Sequence, residues 1–414
     1  RLVDFKPAYQ YAVLDAFRGL SHSGTPTEQG AKLPWPRFWI AFLEYLEVVM
    51  RKEILLPKVD DPEPETFTPT RRWLVPVIAD LIRNGTHDDH RAIPTSAFSS
   101  VLSVANYVLS REKSTAEGKD EDAMTEAINT TKGNWIEALV DFSLYLCRNA
   151  DLERKTHLDE WQSVKSLFDR EMEACKTGNF EFSTLCGTYL ANLHYMSPEW
   201  LTKHIEAIFP KEPQYSRNFD CAVQGFAYMP QPTKETYLLM KAKGILQTAL
   251  SRSTKGRHAR EKLLQHIAVA YLAGDEPLEG GDSLIQAILQ RFDPCDIEEV
   301  VRFFWGIQGD QLNPEQIHKI FSFWRACMPQ TDETKDTHRS ILSNLGLLAA
   351  FLKDIPEEQE KWLLKIAPYI GINHNTDFFV EYLERFADVR PRAAGEITLA
   401  AVTAHHPHYH FQTR

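Results

Sequence analysis

The stretch Ile341-Leu342-Ser343-Asn344-Leu345-Gly346-Leu347-Leu348-Ala349-Ala350-Phe351-Leu352 decides the fold class. Wound at 3.6 residues per turn, it gathers Ile341, Leu342, Leu345, Leu348, Phe351 and Leu352 on one broad apolar face. A half-buried strand would alternate strictly, and such alternation is scarce throughout the chain. The punctuation on either side agrees. A capping residue followed by proline and an acid satisfies free N–H groups, pre-sets φ and complements the helix dipole. Upstream, Asn313-Pro314-Glu315 carries this signal, with Gln316 at the capping-box position. Downstream, Asp354 to Glu357 around Pro356 carries part of it, and Asp293-Pro294 and Ser197-Pro198-Glu199 repeat it earlier.

Extending the same reading outward predicts helices over most of the sequence. In the first half they cover 6–20, 35–52, 70–84, 95–111, 120–149 with a break near Gly133, 158–176, 180–194 and 197–209. The rest cover 216–229, 233–252, 257–273, 281–292, 294–308, 313–328, 337–353, 356–370, 376–388 and 391–404. In the C-terminal half a helix starts about every twenty residues, so a pair takes about forty, close to the unit of HEAT or tetratricopeptide arrays. Short connections force consecutive helices antiparallel, and each pair must bury its remaining apolar face on its neighbours. The expected fold is therefore all-α, a superhelical array of antiparallel helix pairs resembling a degenerate tetratricopeptide or HEAT α-solenoid. No clean tetratricopeptide consensus is present, so the repeat family stays open. Residues 1–132 read as an irregular helical region, with loops at 21–34 and 53–69 and a charged segment from Glu112 to Asp122 that is a candidate hinge or insertion. Residues 133–414 read as the array, continuous with it.

Composition narrows the function classes. With 43% hydrophobic and 25% charged residues in 414, the chain has the balance of a folded globular protein. Its formal charge of −11, from 57 acidic against 46 basic residues, repels a phosphate backbone and makes nucleic acid an unexpected partner. One local exception is Arg252, Lys255, Arg257, Arg260 and Lys262, with Glu261 inside it. That cluster reads as a solvated face or as a contact patch for an acidic partner. Cys147, Cys175, Cys186, Cys221, Cys295 and Cys327 never form a C-x-x-C pair, and several sit among apolar residues, which suits a reducing, cytoplasmic setting. The sequons at Asn84 and Asn129 are short enough to be chance. No apolar run approaches the roughly 20 residues that a bilayer requires, so no membrane partner is expected. The sequence opens with Arg1 and an amphipathic helix instead of a signal peptide, which suggests a segment of a longer protein.

A search for chemistry finds no foothold. The one Gly-Lys pair, Gly118-Lys119, is followed by Asp120 in a charged linker and forms no phosphate-cradling loop. No zinc helix, nucleophile elbow or dinucleotide turn is present. No catalytic, cofactor-binding or metal-binding residue is singled out, no cofactor is expected, and the partner-binding residues stay open. Two histidine groups, His87-Asp88-Asp89-His90 and His405, His406, His408 and His410, hold metal-ligand residue types. They lack the rigid spacing that fixes coordination geometry, so solvated loop and chain end are the plainer readings. Trp305, Trp324 and Trp362 fall beside apolar neighbours in predicted helices, where packing between helices competes with exposed contact.

The series Gly133-Asn134-Trp135, Trp161, Tyr237 to Leu246, Glu358 to Trp362 and Asp377 to Pro391, closing on His405-His406-Pro407-His408-Tyr409, resembles a known class of helical array. Such arrays form the C-terminal part of large bacterial antiphage proteins, the STAND NTPases and the defence-associated sirtuins. The resemblance implies an NTPase or NADase upstream in the parent protein, through which it would oligomerise. It also implies a sensor array that recognises a phage protein such as a terminase, portal or tail component. It carries over no individual binding residue. The expected function is protein recognition by a scaffold that is not itself an enzyme. The alternatives are a nucleic-acid-binding repeat module resting on Arg252 to Lys262, and an enzyme whose site is assembled from scattered Asp, Glu and His.

Overall fold

The structure, a computed structural model, describes residues 2–21, 34–52, 69–87, 91–118, 122–252 and 257–404. Among the described residues there are twenty-one α-helices, joined by short 3-10 turns, and no strand. The chain is all-α. It divides into two compact units, Arg1–Ala259 and Arg260–Arg414. The position 132/133 lies inside the first unit, in the opening turn of the helix Thr131–Arg154.

The proline-marked starts locate helices as the cap chemistry predicts. Pro198–Ile208, Pro294–Gly306 and Pro314–Cys327 each begin with proline in the first turn. The Ser197 hydroxyl accepts from the Trp200 amide at 3.2 Å, and Asp293 accepts from the Cys295 and Asp296 amides at 3.0 and 3.4 Å. Asn313 and Gln316 close a reciprocal capping box at 3.0 and 2.9 Å. The fourth start, Glu357–Ile366, has no side-chain cap. There Asp354 turns to the Arg390 guanidinium at 2.8 and 2.7 Å.

Three predicted helices are divided, the first of them close to the break expected near Gly133 and the other two where sequence periodicity alone continues. The helix expected over 120–149 is Ala123–Ile128 followed by Thr131–Arg154, so the break falls at Asn129 and Thr130, ahead of Gly133. Thr130 caps the second helix by accepting from the Gly133 amide at 2.9 Å. Gly133 is there for clearance, because a Cβ would sit 1.9 Å from the Ala127 carbonyl oxygen. The segment 180–194 divides at Tyr189 into Phe180–Thr188 and Leu190–Met196. The segment 233–252 divides at Gly244, whose φ of +66° ends the α-register, giving Lys234–Ala242 and Ile245–Ser251. The stretch Ile341 to Leu352 is α-helical only to Leu345 and then tightens into the 3-10 turn Gly346–Phe351. Likewise Glu357–Ile366 passes into the 3-10 segment Ala367–Asn373 at Pro368, which has no N–H for an α-helical bond.

In the first unit the helix Thr131–Arg154 is buried along most of its circumference, with Trp135, Ile136 and Cys147 fully enclosed. The Trp135 indole N–H donates to the Val75 carbonyl at 2.9 Å, tying this helix to Arg71–Asn84. Arg83 bridges the same two helices, meeting Glu137 at 2.8 Å and Asp141 at 3.0 Å. Next to it, Phe180–Thr188 and Ser216–Tyr228 cross in backbone contact. A Cβ on Gly187 would lie 2.1 Å from the Ala222 carbonyl oxygen, and one on Gly225 would lie 1.8 Å from that of Thr184. Across this crossing lies the charged segment 112–118, read from sequence as a candidate hinge. It is tied down: the fully buried Glu181 carboxylate accepts from the Ser114 hydroxyl and from the Thr115 and Ala116 amides, the latter two at 2.9 and 3.0 Å.

In the second unit Val300, Val301 and Phe304 pack with Ile320, Phe323 and Trp324 and with the apolar face of Ile341 to Leu348. The polar pair in that last stretch is structural. The Ser343 hydroxyl donates to the Ile370 carbonyl at 2.9 Å, and Asn375 donates to the Ser343 carbonyl at 3.2 Å.

Gly225→Ala should test the crossing. Helix propensity alone would favour alanine by about 1 kcal/mol, whereas overpacking costs about 1 to 3 kcal/mol or more. We expect a lower urea midpoint for Gly225→Ala by far-UV circular dichroism. Gly395→Ala, with nothing within 4 Å of the new Cβ, should leave the midpoint unchanged or raise it.

Candidate functional site

The groups singled out from sequence do not converge on one site. Of the first histidine group, His87 is half-exposed with its Nε2 3.8 Å from Asp141. Asp88, Asp89 and His90 lie outside the described residues, as do His405, His406, His408 and His410. Among the described residues no three His, Cys, Asp or Glu are grouped to hold a metal ion. The basic cluster is largely spent on its own chain. Arg260 grips the buried Asp296 through two bonds of 2.7 and 2.6 Å. Lys262 bonds Gln265 at 2.9 Å. Arg252 lays its guanidinium 4.3 Å over the Phe219 ring and donates to the Lys211 carbonyl. Lys255 and the Arg257 side chain lie outside the described residues.

Four ionisable side chains, Arg83, Glu137, Asp141 and Tyr189, meet between helices of the first unit. Burial pushes the Glu137 carboxyl up despite Arg83, and it raises the Tyr189 phenol, which donates to Glu137 at 2.9 Å. Each hydrogen-bonding group here meets another protein group, so the cluster joins helices and presents no free base or nucleophile. A cavity of about 350 Å³ beside Pro198–Ile208 has most of its charged groups paired, while the buried His204 Nε2 on its wall makes no hydrogen bond among the described residues. At its wall Asp169 accepts from the Trp200 indole at 2.8 Å and pairs with Lys165. Glu173 and Glu206 are held by Lys176 and Lys243, at 3.1 and 3.3 Å. Burial lowers the pKa of His204 there, against the pull of Asp169.

Two surfaces are built differently, with rigid apolar side chains facing solvent. One lies in the second unit, on Pro294–Gly306 and Thr376–Glu384. Trp324 is fully buried 5.3 Å from the Trp362 ring, which settles both as core. Trp305 is only half-buried. Its indole N–H donates to the Tyr382 hydroxyl at 2.7 Å, and that hydroxyl donates to Gln308 at 3.1 Å. The Trp305 ring stands 5.1 Å from that of Phe378, which is 42% exposed. The result is an aromatic ledge whose polar atoms are satisfied and whose rings cannot retract.

The other surface is an apolar groove of about 640 Å³ in the first unit, between Pro7–Ser21 and Trp35–Arg51. Phe17 stacks on Phe38 at 4.3 Å, and Phe38 on Phe42 at 5.8 Å, forming its floor. Sequence reading singled out Trp305, with packing against exposed contact left open, and did not mark the groove. A signal for the groove was present: Trp35, Phe38, Trp39, Phe42, Leu43, Tyr45, Leu46 and Val49 cover more than one helix face. Phe378 carried no signal, because nothing in Thr376–Glu384 distinguishes it from the buried Phe379.

No protein-family model, no curated protein and no solved structure matches the chain.

The cysteines give a test of how far thiol chemistry is open to this surface. Burial pushes the Cys147, Cys175 and Cys221 thiols up to about 12 and raises those of Cys186 and Cys327, while Cys295 is exposed. Since the thiolate is the reactive form, iodoacetamide at neutral pH should label Cys295 alone in the native chain and all six after denaturation, as read by intact mass. Early labelling of a second thiol would contradict this placement.

Proposed function

We propose that this chain is a protein-recognition scaffold, the ligand-sensing segment of a bacterial antiphage defence protein, and that its partner is a phage protein. The observation that carries the reading is the aromatic ledge of Trp305 and Phe378, backed by the buried Tyr382. Tryptophan, tyrosine and arginine dominate binding hot spots, because they bury much area for few rotatable bonds. Here the rings stand on two helices, are locked by the Trp305–Tyr382–Gln308 hydrogen bonds, and have Arg385 5.0 Å above the Tyr382 ring. The resemblance of Gly133 to His410 to the sensor arrays of STAND NTPases and defence-associated sirtuins supplies the class of partner. The catalytic step then belongs to a domain of the parent protein, and this segment supplies recognition in the cytoplasm. An area above roughly 1,200 Å² in total is expected for such a contact, with the affinity concentrated in few anchors.

The test is capture of purified phage terminase, portal and tail proteins on the immobilised chain. One of them should be retained, and Phe378→Ser should weaken its capture by about tenfold or more, as hot-spot truncations do. Phe378 is exposed enough that this change leaves the core intact. Deleting the chain from Asn313 onward should abolish capture. Retention of the same phage protein by both altered chains would remove the ledge from the reading, and failure of the whole panel would sink the phage assignment.

A further inference from the structure

The groove in the first unit is a second recognition surface, and its walls define what fits. Arg37, Ala41, Glu44 and Val48 fall at i, i+4, i+7 and i+11 on Trp35–Arg51 and form one continuous stripe along the groove. The opposite wall is Val13, 40% exposed, above Leu14 and Phe17. Two hydrogen bonds hold the walls apart at a fixed spacing. The Tyr45 hydroxyl donates to Gln10 at 2.6 Å, and the Gln10 amide donates to the Phe5 carbonyl at 2.7 Å, which also pins Leu2 and Val3 at the groove's end.

Three properties select the occupant. The floor is stacked aromatic and aliphatic surface, and its hydroxyl, on Tyr45, is already engaged by Gln10, so the polar groups left to a ligand are Arg37 and Glu44, spread along one rim instead of converging on one point as the groups that orient small ligands do. The small side chain of Ala41 sits midway along the rim and lets another backbone approach. Arg37 and Glu44 stand two turns apart on that rim, about 10 Å at 1.5 Å per residue. Both are exposed, and among the described residues neither has a hydrogen bond or ion pair from its side chain. Unpaired opposite charges flanking an apolar slot are the complement of an amphipathic helix with an acid and a base seven residues apart.

We propose that this groove takes an amphipathic α-helix of a partner protein, seated by an apolar stripe and positioned by an acidic residue at Arg37 and a basic one at Glu44. The inference rests on the reading of the chain as a protein-binding scaffold, but it concerns residues that the ledge does not use. The apolar stripe supplies affinity, and the two rim charges set which helices are accepted.

The test uses the full chain and three synthetic alanine-rich helices of about sixteen residues, long enough to hold a helix. Each carries one leucine stripe, flanked at a spacing of seven by Glu and Lys, by two Lys, or by two Glu. This set is insensitive to the direction in which a peptide lies. By fluorescence anisotropy the unaltered chain should bind the Glu/Lys helix about fivefold more tightly than the other two, as two exposed charge contacts allow. Arg37→Glu should move the preference to the Lys/Lys helix, and Glu44→Arg should move it to the Glu/Glu helix. Ala41→Gln, a helix-compatible change at an exposed position, should block all three without altering the circular dichroism spectrum. Equal affinity for the three helices, no binding of any, or unchanged binding by Ala41→Gln overturns the proposal. So does a dimer in light scattering that Ala41→Gln returns to monomer, because the occupant would then be a second copy. The peptides do not touch Phe378, so this inference and the phage-protein reading can fail separately.

Discussion

Two helix backbones in direct contact set the geometry of the first unit. Phe180–Thr188 and Ser216–Tyr228 approach until only hydrogen atoms fit at Gly187 and Gly225, and the Thr188 hydroxyl bonds the Gly225 carbonyl at 3.0 Å across the crossing. Glycine in a helix interior costs about 1 kcal/mol in propensity relative to alanine, so two of them at one crossing mean that proximity outweighs it. The closeness lets Phe182, Leu185, Cys186, Cys221 and Phe226 form a tight apolar layer around the contact. It also fixes where the polar groups beside it must find partners.

Those polar groups are costly and consequently well matched. A buried carboxylate without partners would cost several kcal/mol. Glu181 avoids this with one hydroxyl and two backbone donors from residues 114–116. A few residues away Lys132 meets Glu171 at 2.9 Å, and Asn179 donates to the same carboxylate oxygen at 2.9 Å. Arg83 does the same work between Arg71–Asn84 and Thr131–Arg154. Such pairs add little net stability, but each is lost if the helices slip by one turn, so they select one packing over its neighbours. The groove depends on one such pair, since Val13 and Phe17 line it from Pro7–Ser21, whose Arg18 meets Asp80 on Arg71–Asn84 at 2.9 Å.

The helices were legible because their signals are local. Periodicity over Ile341 to Leu352 and the caps at Ser197, Asp293 and Asn313 need only neighbours in sequence. Apart from the break near Gly133, the interruptions were not, because they answer to something distant or to backbone clearance. Ser343 and Asn344 looked like flaws in an apolar run, and Ser343 is polar because it must bond the Ile370 carbonyl 27 residues on. Arg260 looked free to meet a phosphate until Asp296, 36 residues later, was placed against it. Binding surfaces are harder still. Trp305 and Trp324 are the same residue type in similar surroundings, and only the packing of whole helices puts one at the surface and the other in the core.

The attachment of residues 114–116 to Glu181 bears on how this protein can change over generations. Two of its three bonds come from main-chain amides, which every residue except proline provides. Lys113 and Thr115 are exposed, so their identities can drift without loosening the segment. Its fixed points are constrained: Glu181 itself, the hydroxyl of Ser114, Glu126, which accepts from the Glu117 and Gly118 amides at 2.6 and 3.1 Å, and Gly118, whose φ of +60° and tight fit against Phe180 and Cys221 disfavour a side chain. Related chains would therefore show a segment of rapidly varying charge between positions that do not vary.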